Sequence, residues 1–516
     1  KVEFEVLSVQ EEVINLTEKG VKYPVIPAQP PRVKDQPRDT IKKLHINQKI
    51  YRTDHYYKNE LIQYHESGIM RNKKYGHLQI SPLQYNPVKN QLKVIKKLEA
   101  RINFIHEGNG DSKETTEAYN PYFDQVTNAA VNQATDDSKG VPTGAPITYV
   151  IVSDPMFENI LQPFVEWKTL KGFHVKELYT DEIGTSKTAI KDTLRGLYEN
   201  PQPTPPTFVL FVGDIEQVPS WSGETGGHYT DLYYCEYTGD YFPEVFYGRF
   251  SAQTQAQLQA QVDKTLLYEK YGMNDPSYLA DALLVAGDDE SYEDRYGNGQ
   301  INYATDYYFN DTNGVNAHAY LQDPPNGNSA VHDSMMNHLS SGVSVANYTA
   351  HCSASGWSNP RLSTSDVPNL TNQDRYGLWI GNCCESAKFN LSECFAEAAL
   401  RAEGKGAIGY IGGSADTYWD EDYWWAVGLT SSIVEHPTYS ESGLGIFDRL
   451  FHTHGEDPSQ WYITQGQIPI SGNMAVEASS SNLKKYYWEV YHLFGDPSLM
   501  PYLREPSEMS VSVSPE

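Results

Sequence analysis

A series of short, unbroken apolar runs constrains this chain more than any other feature. "ITYVIVSD", "PTFVLFVGD", "ADALLVAGDD", "SVANYTAH", "YGLWIGNCC" and "GAIGYIGGS" all stop at small, acidic or reactive residues. A strand covered on both faces reads as a continuous run, because neither side alternates with water. The segments between them, such as "MFENILQPFVEWKTLKG" and "SKTAIKDTLRGLYEN", have helical spacing. The pattern predicts an α/β fold on a largely parallel sheet. Ligands of such sheets sit beyond the carboxyl ends of the strands. The residues placed there are His351, the pair Cys383 and Cys384, and the pair Asp288 and Asp289.

At 516 residues the chain exceeds a single core, and two to four domains are expected. Residues 1–112 carry β-type runs, "VEFEVLSV", "HLQISPLQY" and "LKVIKKLEARINFI". Residues 113–145 are polar and aperiodic and read as a linker. Two tandem α/β subdomains follow, 146–275 and 276–503, and 504–516 read as the start of a further module. The net charge of −27 argues against a nucleic-acid partner and an anionic membrane surface. No apolar run is long enough to span a membrane. Lys1 opens the chain without a leader, which suits either a cytosolic protein or one whose signal was removed. Richness in Tyr, Thr, Asn and Gly favours export.

A thiol beside an imidazole is the minimal cysteine nucleophile, since the imidazole accepts the proton and stabilises the thiolate. An acid on the other ring nitrogen would orient it. Cys383 and Cys384 are adjacent and cannot face the same way. One packs inward and the other is the candidate nucleophile; the residues alone leave open which. Zinc binding is the competing use of a His/Cys cluster, but no Cys-x-x-Cys or His-x-x-x-His spacing is present.

The stretches "ANYTAH", "GNCC" and "SADTYWDEDYWW" resemble the gingipains, clan-CD cysteine peptidases with a caspase-like fold, and in particular their lysine-specific branch. The resemblance runs from about 145 to 503 and includes "TDLYY", "GDYFPEVFYGRFSA" and "YYWEVYHLFGDPSLMPY". "MRNKKYGHLQISPLQYNPVKNQLKV" is similar to the propeptide of that family, which makes the first region a β-rich prodomain. The resemblance implies a secreted or cell-surface endopeptidase in zymogen form. It would cleave protein and peptide substrates after lysine through an acyl-enzyme, with no cofactor for catalysis. It places the nucleophile on Cys384, the general base on His351 and the orienting acid on Asp289, with Asp288 second. The oxyanion donors fall on the backbone N–H groups of Cys352 and Cys384. Asp422 falls at the base of the lysine pocket, with Thr349 in its wall and Trp419 over the aliphatic stem. A structural calcium is implied at Asp240, Phe242 and Glu244, a set of oxygen donors suited to a hard cation.

Cys352 departs from the family, which has glycine after the histidine. Its Cβ is expected to crowd the site, and its thiol to lie within reach of a disulfide with Cys384. The alternatives are an arginine-specific enzyme, a catalytically impaired binding paralogue, and a transpeptidase or sortase-like enzyme. An intramolecular partner is expected in the prodomain itself. A lysine-reading protease is held off most simply by a lysine of its own prosegment, and Lys74 or Lys73 in "MRNKKYGH" is expected to reach Asp422. Release would follow cleavage after Lys139 or Lys113 in the polar linker.

Overall fold

The computed structural model describes residues 2–34, 44–57, 60–71, 73–105, 120–127, 146–322, 329–430, 432–451 and 463–506. Two compact units divide the chain: Lys1–Pro31 with Pro37–Glu117, and Arg32–Gln36 with Ala118–Glu516. In the first unit, β1 (Val2–Asn15) runs antiparallel to β5 (Gln91–Phe104) over their whole length. β2 (Ile62–Met70) and β3 (Lys73–Ile80) form a hairpin, and β4 (Leu83–Asn86) adds to β5. The sequence reading missed β2.

The second unit is built on one ten-stranded sheet. Its strands are β6 (Thr148–Ser153), β7 (His174–Tyr179), β8 (Pro206–Val212), β9 (Phe246–Phe250), β10 (Asp281–Ala286), β11 (Asn316–Tyr320), β12 (Val345–Ala350), β13 (Leu378–Cys383), β14 (Gly409–Gly413) and β15 (Tyr491–Gly495). They lie in the order β11-β10-β12-β13-β14-β15-β9-β8-β6-β7. All pairings are parallel except β14 with β15. The tandem halves expected on either side of 275 are therefore fused into one sheet, and the strands of the second half run opposite to those of the first, except β15, which runs with the first. The carboxyl ends of β10, β12, β13 and β14 share one edge. β15 starts at that edge.

Helices cover both faces, which is why β6, β8, β12 and β13 are buried at every residue. Along β13, Trp379 and Cys383 enter one apolar cluster, while Leu378 and Ile380 enter the other, as a two-residue period requires. Helix starts follow local chemistry. Ser186 accepts from Ala189 N–H at 3.2 Å to open Lys187–Glu199, and Thr254 accepts from Gln257 N–H at 3.3 Å to open Gln255–Glu269. The expected linker contains a helix, Pro121–Thr127, that belongs to this unit. Phe123 stacks on Phe246 with ring centroids 4.2 Å apart, and burying such a ring contributes roughly 1.5–3 kcal/mol.

A buried charge cluster ties helix Glu158–Leu170 to the segment after β15. Lys168 Nζ lies 2.5 Å from Asp496 Oδ2 and 2.6 Å from Glu269 Oε2, with its side chain fully buried. Burial alone would raise the Asp496 carboxyl, but the Lys168 ammonium outweighs it and holds the group below its ordinary value. This stabilisation is present above the ordinary carboxylate pKa and is lost as pH falls through the lowered folded value. Lys168→Met is expected to cost about 3–5 kcal/mol in urea unfolding at neutral pH, because it strands the buried Asp496 carboxylate, while Glu269 keeps Lys171 and Trp167. A change below 1 kcal/mol would show that water reaches this cluster.

Candidate active site

β12 and β13 pair in parallel register with Thr349 opposite Asn382 and Ala350 opposite Cys383. The next residues on the two strands are His351 and Cys384, so the register alone brings them to adjacent positions at the sheet edge. Ala350, Cys352 and Cys383 pack into the cluster of Trp357, Trp379 and Phe395. Thr349, His351, Asn382 and Cys384 alternate with them and take the opposite face.

His351 Nε2 lies 2.8 Å from Asp289 Oδ2. Asp289 follows β10, and its other oxygen accepts from Ser291 N–H at 2.9 Å and Tyr292 N–H at 3.1 Å. Burial alone would raise the Asp289 carboxyl; the His351 contact and these two N–H groups outweigh it and hold the pKa below the ordinary value. Asp288 is directed elsewhere and accepts from Asn359 Nδ2 at 2.8 Å. Of the two aspartates, Asp289, which the resemblance puts first, is the one in contact with His351.

The Cys384 thiol is buried and faces Thr417, whose N–H donates to Sγ at 3.2 Å. Glu385 follows with φ +55°, a left-handed conformation that costs a non-glycine residue about 1–3 kcal/mol. Two bonds hold this turn: Glu385 N–H to Ala415 O and Ala387 N–H to Gly413 O, each 2.9 Å. Cys352 is bonded to Cys383, with Cα atoms 5.4 Å apart. The Cys352 thiol, placed by the sequence within reach of Cys384, is thus bonded to the other cysteine of the pair. Strand alternation puts the bridge on the face away from Cys384, so the Cys352 side chain fills core rather than crowding the thiol. The residue after His351 is thereby tied to the residue before Cys384. Cys235, Cys384 and Cys394 take part in no disulfide among the described residues, and all three are buried.

Beside the thiol lies a pocket around Asp422, a fully buried residue of helix Trp419–Val427. Asp422 Oδ1 accepts from Tyr491 OH at 2.6 Å and Tyr487 OH at 2.9 Å. Oδ2 accepts from Thr417 OH at 2.6 Å. Asn382 Nδ2 donates to Asp422 O at 3.1 Å, and Thr349 OH donates to Asn382 Oδ1 at 3.3 Å. The sequence reading named Asp422, Thr349 and Trp419, but missed Thr417, Asn382, Tyr487 and Tyr491. The one signal was the i, i+4 spacing of the two tyrosines.

Lys34 occupies this pocket. Its ammonium lies 2.6 Å from Asp422 Oδ2, 2.7 Å from Asn382 O and 3.2 Å from Asn382 Oδ1, with both charged side chains fully buried. Trp419 covers it, with the ammonium 4.9 Å from the ring centroid. The expectation of Lys74 or Lys73 is therefore corrected. Both residues open strand β3, and Lys74 pairs with Glu66 of the same hairpin at 2.8 Å, more than half exposed. Lys34 escaped notice because "QPPRVKDQP" reads as a Pro-rich connector. Its prolines favour the extended backbone that the pocket accepts.

The residues expected to hold calcium make local hydrogen bonds. Asp240 Oδ1 caps Phe242 N–H at 2.8 Å, and Glu244 turns inward to Tyr237 N–H at 2.6 Å. Burial first, then the neighbouring Glu236 and Asp240 charges, push the Glu244 carboxyl up to about 8. Among the described residues no group of three or more His, Cys, Asp or Glu converges to hold a metal ion. Lys113 and Lys139 lie outside the described residues.

Comparison with known proteins follows the same division of the chain. The model of Peptidase family C25 matches residues 143–502, and that of its propeptide, Propeptide_C25, matches residues 7–141. Lys-gingipain W83 of Porphyromonas gingivalis is 35% identical over 514 residues, covering 97% of this chain and 29% of that protein. The chain thus spans under a third of that relative's length. Gingipain R2 of the same species is 24% identical over 489 residues, covering 90% of this chain and 61% of that protein. A solved protease structure superposes with a TM-score of 0.66 at 37% identity, covering 72% of this chain and 81% of that one. The crystal structure of the Arg-specific proteinase gingipain R superposes with a TM-score of 0.56 at 24% identity, covering 70% and 79%, and supports the fold alone.

The Cys352–Cys383 bridge closes a loop with a sequence separation of 31. Replacing both cysteines by alanine is expected to lower stability by about 3–4 kcal/mol. Urea unfolding of parent and double variant without reductant measures it, and coincident transitions would mean that the bridge does not form in solution.

Proposed function

Given that this chain belongs to peptidase family C25 and carries the family's propeptide, we propose that it is an endopeptidase that cleaves after lysine and is held latent by its own Lys34. Cys384 is the nucleophile and His351 takes its proton, with Asp289 holding the imidazole through Nε2. The thiolate attacks the carbonyl carbon of the lysyl residue, and the backbone N–H groups of Cys352 and Cys384 stabilise the oxyanion. The C–N bond breaks as the imidazolium gives its proton to the leaving amine. Water then hydrolyses the thioester and restores the thiol.

The buried ion pair of Lys34 with Asp422 carries the specificity. An ammonium has three donors, and here three acceptors stand within 3.2 Å of it. Arginine prefers a carboxylate with both oxygens open to its fork. Asp422 Oδ1 is already held by two tyrosine hydroxyls, which favours lysine. The reading also extends to secretion: a disulfide suits an oxidising compartment, and no described helix is long and apolar enough to cross a membrane.

Lysyl- and arginyl-amide reporters test this reading. Asp422→Asn is expected to lower kcat/KM for the lysyl reporter by about 3–5 kcal/mol, roughly two to almost four orders of magnitude, since it strands a buried ammonium. Lys34→Ala is expected to raise turnover by the unprocessed chain. Preferred cleavage of the arginyl reporter would reject the lysine assignment. A joined product with an added amine would indicate acyl transfer instead of hydrolysis.

A further inference from the structure

The segment that carries Lys34 into the pocket also shows how a longer substrate lies. Lys34 N–H donates to Thr417 O and Trp419 N–H donates to Arg32 O, each at 3.1 Å. Val33 bridges Tyr418 in antiparallel fashion. Residues 32–34 thus add as a short strand along 417–419. Thr417 links this strand to the chemistry, because it accepts from Lys34 N–H while its own N–H donates to Cys384 Sγ. A substrate lysine held in this register places its P3 side chain where Arg32 lies.

In an extended strand, residues i and i+2 share a face. Lys34 and Arg32 accordingly flank one aromatic pair. The Lys34 ammonium lies over Trp419, Trp419 stacks on Tyr292 with centroids 5.0 Å apart at 21°, and the Arg32 guanidinium lies 5.5 Å from the Tyr292 centroid. Arg32 also donates to Tyr292 OH. Tyr296 packs edge-on to both Tyr292 and Trp419, and its hydroxyl donates to Asp420 at 2.6 Å. The Asp420 carboxylate adds attraction for the guanidinium.

Resting on the lysine reading above, we propose that Tyr292, Tyr296 and Asp420 form an S3 subsite for a cationic residue, so that the preferred substrates are peptides with arginine two positions before the cleaved lysine. The site is half-open to water, and the gain from one cation on an exposed aromatic face is modest, about three- to tenfold in kcat/KM.

The test uses the full chain carrying Arg32→Ala and Lys34→Ala, which vacates both positions without deleting a segment. Fluorogenic peptides with valine at P2 and lysine at P1 vary P3 among arginine, citrulline and glutamate. Arginine is expected to exceed citrulline about three- to tenfold, with glutamate lowest. Adding Tyr292→Leu or Asp420→Asn is expected to bring the arginine-to-citrulline ratio toward one. Equal rates for arginine and citrulline at P3 overturn the subsite. So does an equal gain from arginine moved to P2, which would reflect only the net charge of −27. If arginine replaces lysine as the preferred P1 residue, the lysine reading fails first and takes this register with it. A second measurement needs no double variant. Arg32→Ala alone is expected to raise lysyl-peptide turnover by the unprocessed chain, Arg32→Lys to raise it less, and no change from Arg32→Ala overturns the proposal.

Discussion

The parallel register between β12 and β13 is the constraint on which the site depends. Pairing Ala350 with Cys383 puts His351 beside Cys384 and leaves Thr349 and Asn382 together one step back. A slip of one strand by one residue would turn all of that strand's side chains to the other face. With β13 slipped, the Cys384 thiol would point into the cluster around Trp357 and Trp379 and Cys383 would face the pocket, while His351 kept its place. Burial on both faces resists such a slip, because each strand packs different residues into two different cores. The Cys352–Cys383 bond adds a covalent lock to the same register.

The second organising element is a charge that has no access to water. Asp422 is surrounded by groups able to satisfy a carboxylate: two tyrosine hydroxyls, a threonine hydroxyl and one ammonium. Burying an ion is costly unless it is paired and hydrogen-bonded. The pocket therefore demands a cation of defined reach. The three hydroxyls come from the start of helix Trp419–Val427 and from the chain entering β15, which begins at the same edge because it runs against β14. The reversed strand thus serves the site directly.

The strands that carry chemistry were legible because burial on both faces leaves a recognisable signature. "SVANYTAH" and "YGLWIGNCC" needed no partner to be read as strands, and the residues after them followed. β9, β11 and β15 were not read. "VFYGRF" and "YHLFG" hold glycine and polar residues that blur the pattern, and β11 is an edge strand with no fully buried residue. The antiparallel seam was invisible for a deeper reason: strand order and direction depend on contacts between segments distant in sequence, such as Gly413 with Tyr491 and Arg249 with Phe494. The same limit hid Lys34. A lysine in a Pro-rich stretch looks solvated, and only the distant carboxylate at 422 gives it a role. Lys74 was a reasonable alternative by charge, but a hairpin start offers a lysine a neighbour of its own, here Glu66. The pairing of Cys352 was undecidable from spacing, since Cys383 and Cys384 are adjacent in sequence but face opposite sides of the sheet.

The position of β15 has a consequence for the order of synthesis. This strand, at residues 491–495, lies in the middle of the sheet, between β14 and β9. Until it leaves the ribosome, β9 and β14 each present an open edge of unpaired backbone groups, able to pair with a neighbouring chain. The sheet cannot close until almost all of the catalytic region has been made, and such distant pairings are slow to form. The strand segment around Lys34 is made long before its binding surface on 417–419 exists. On the proposed reading, latency by this contact is gained at the end of folding, together with the site it would block, so the pocket is assembled only once its occupant is already on the same chain.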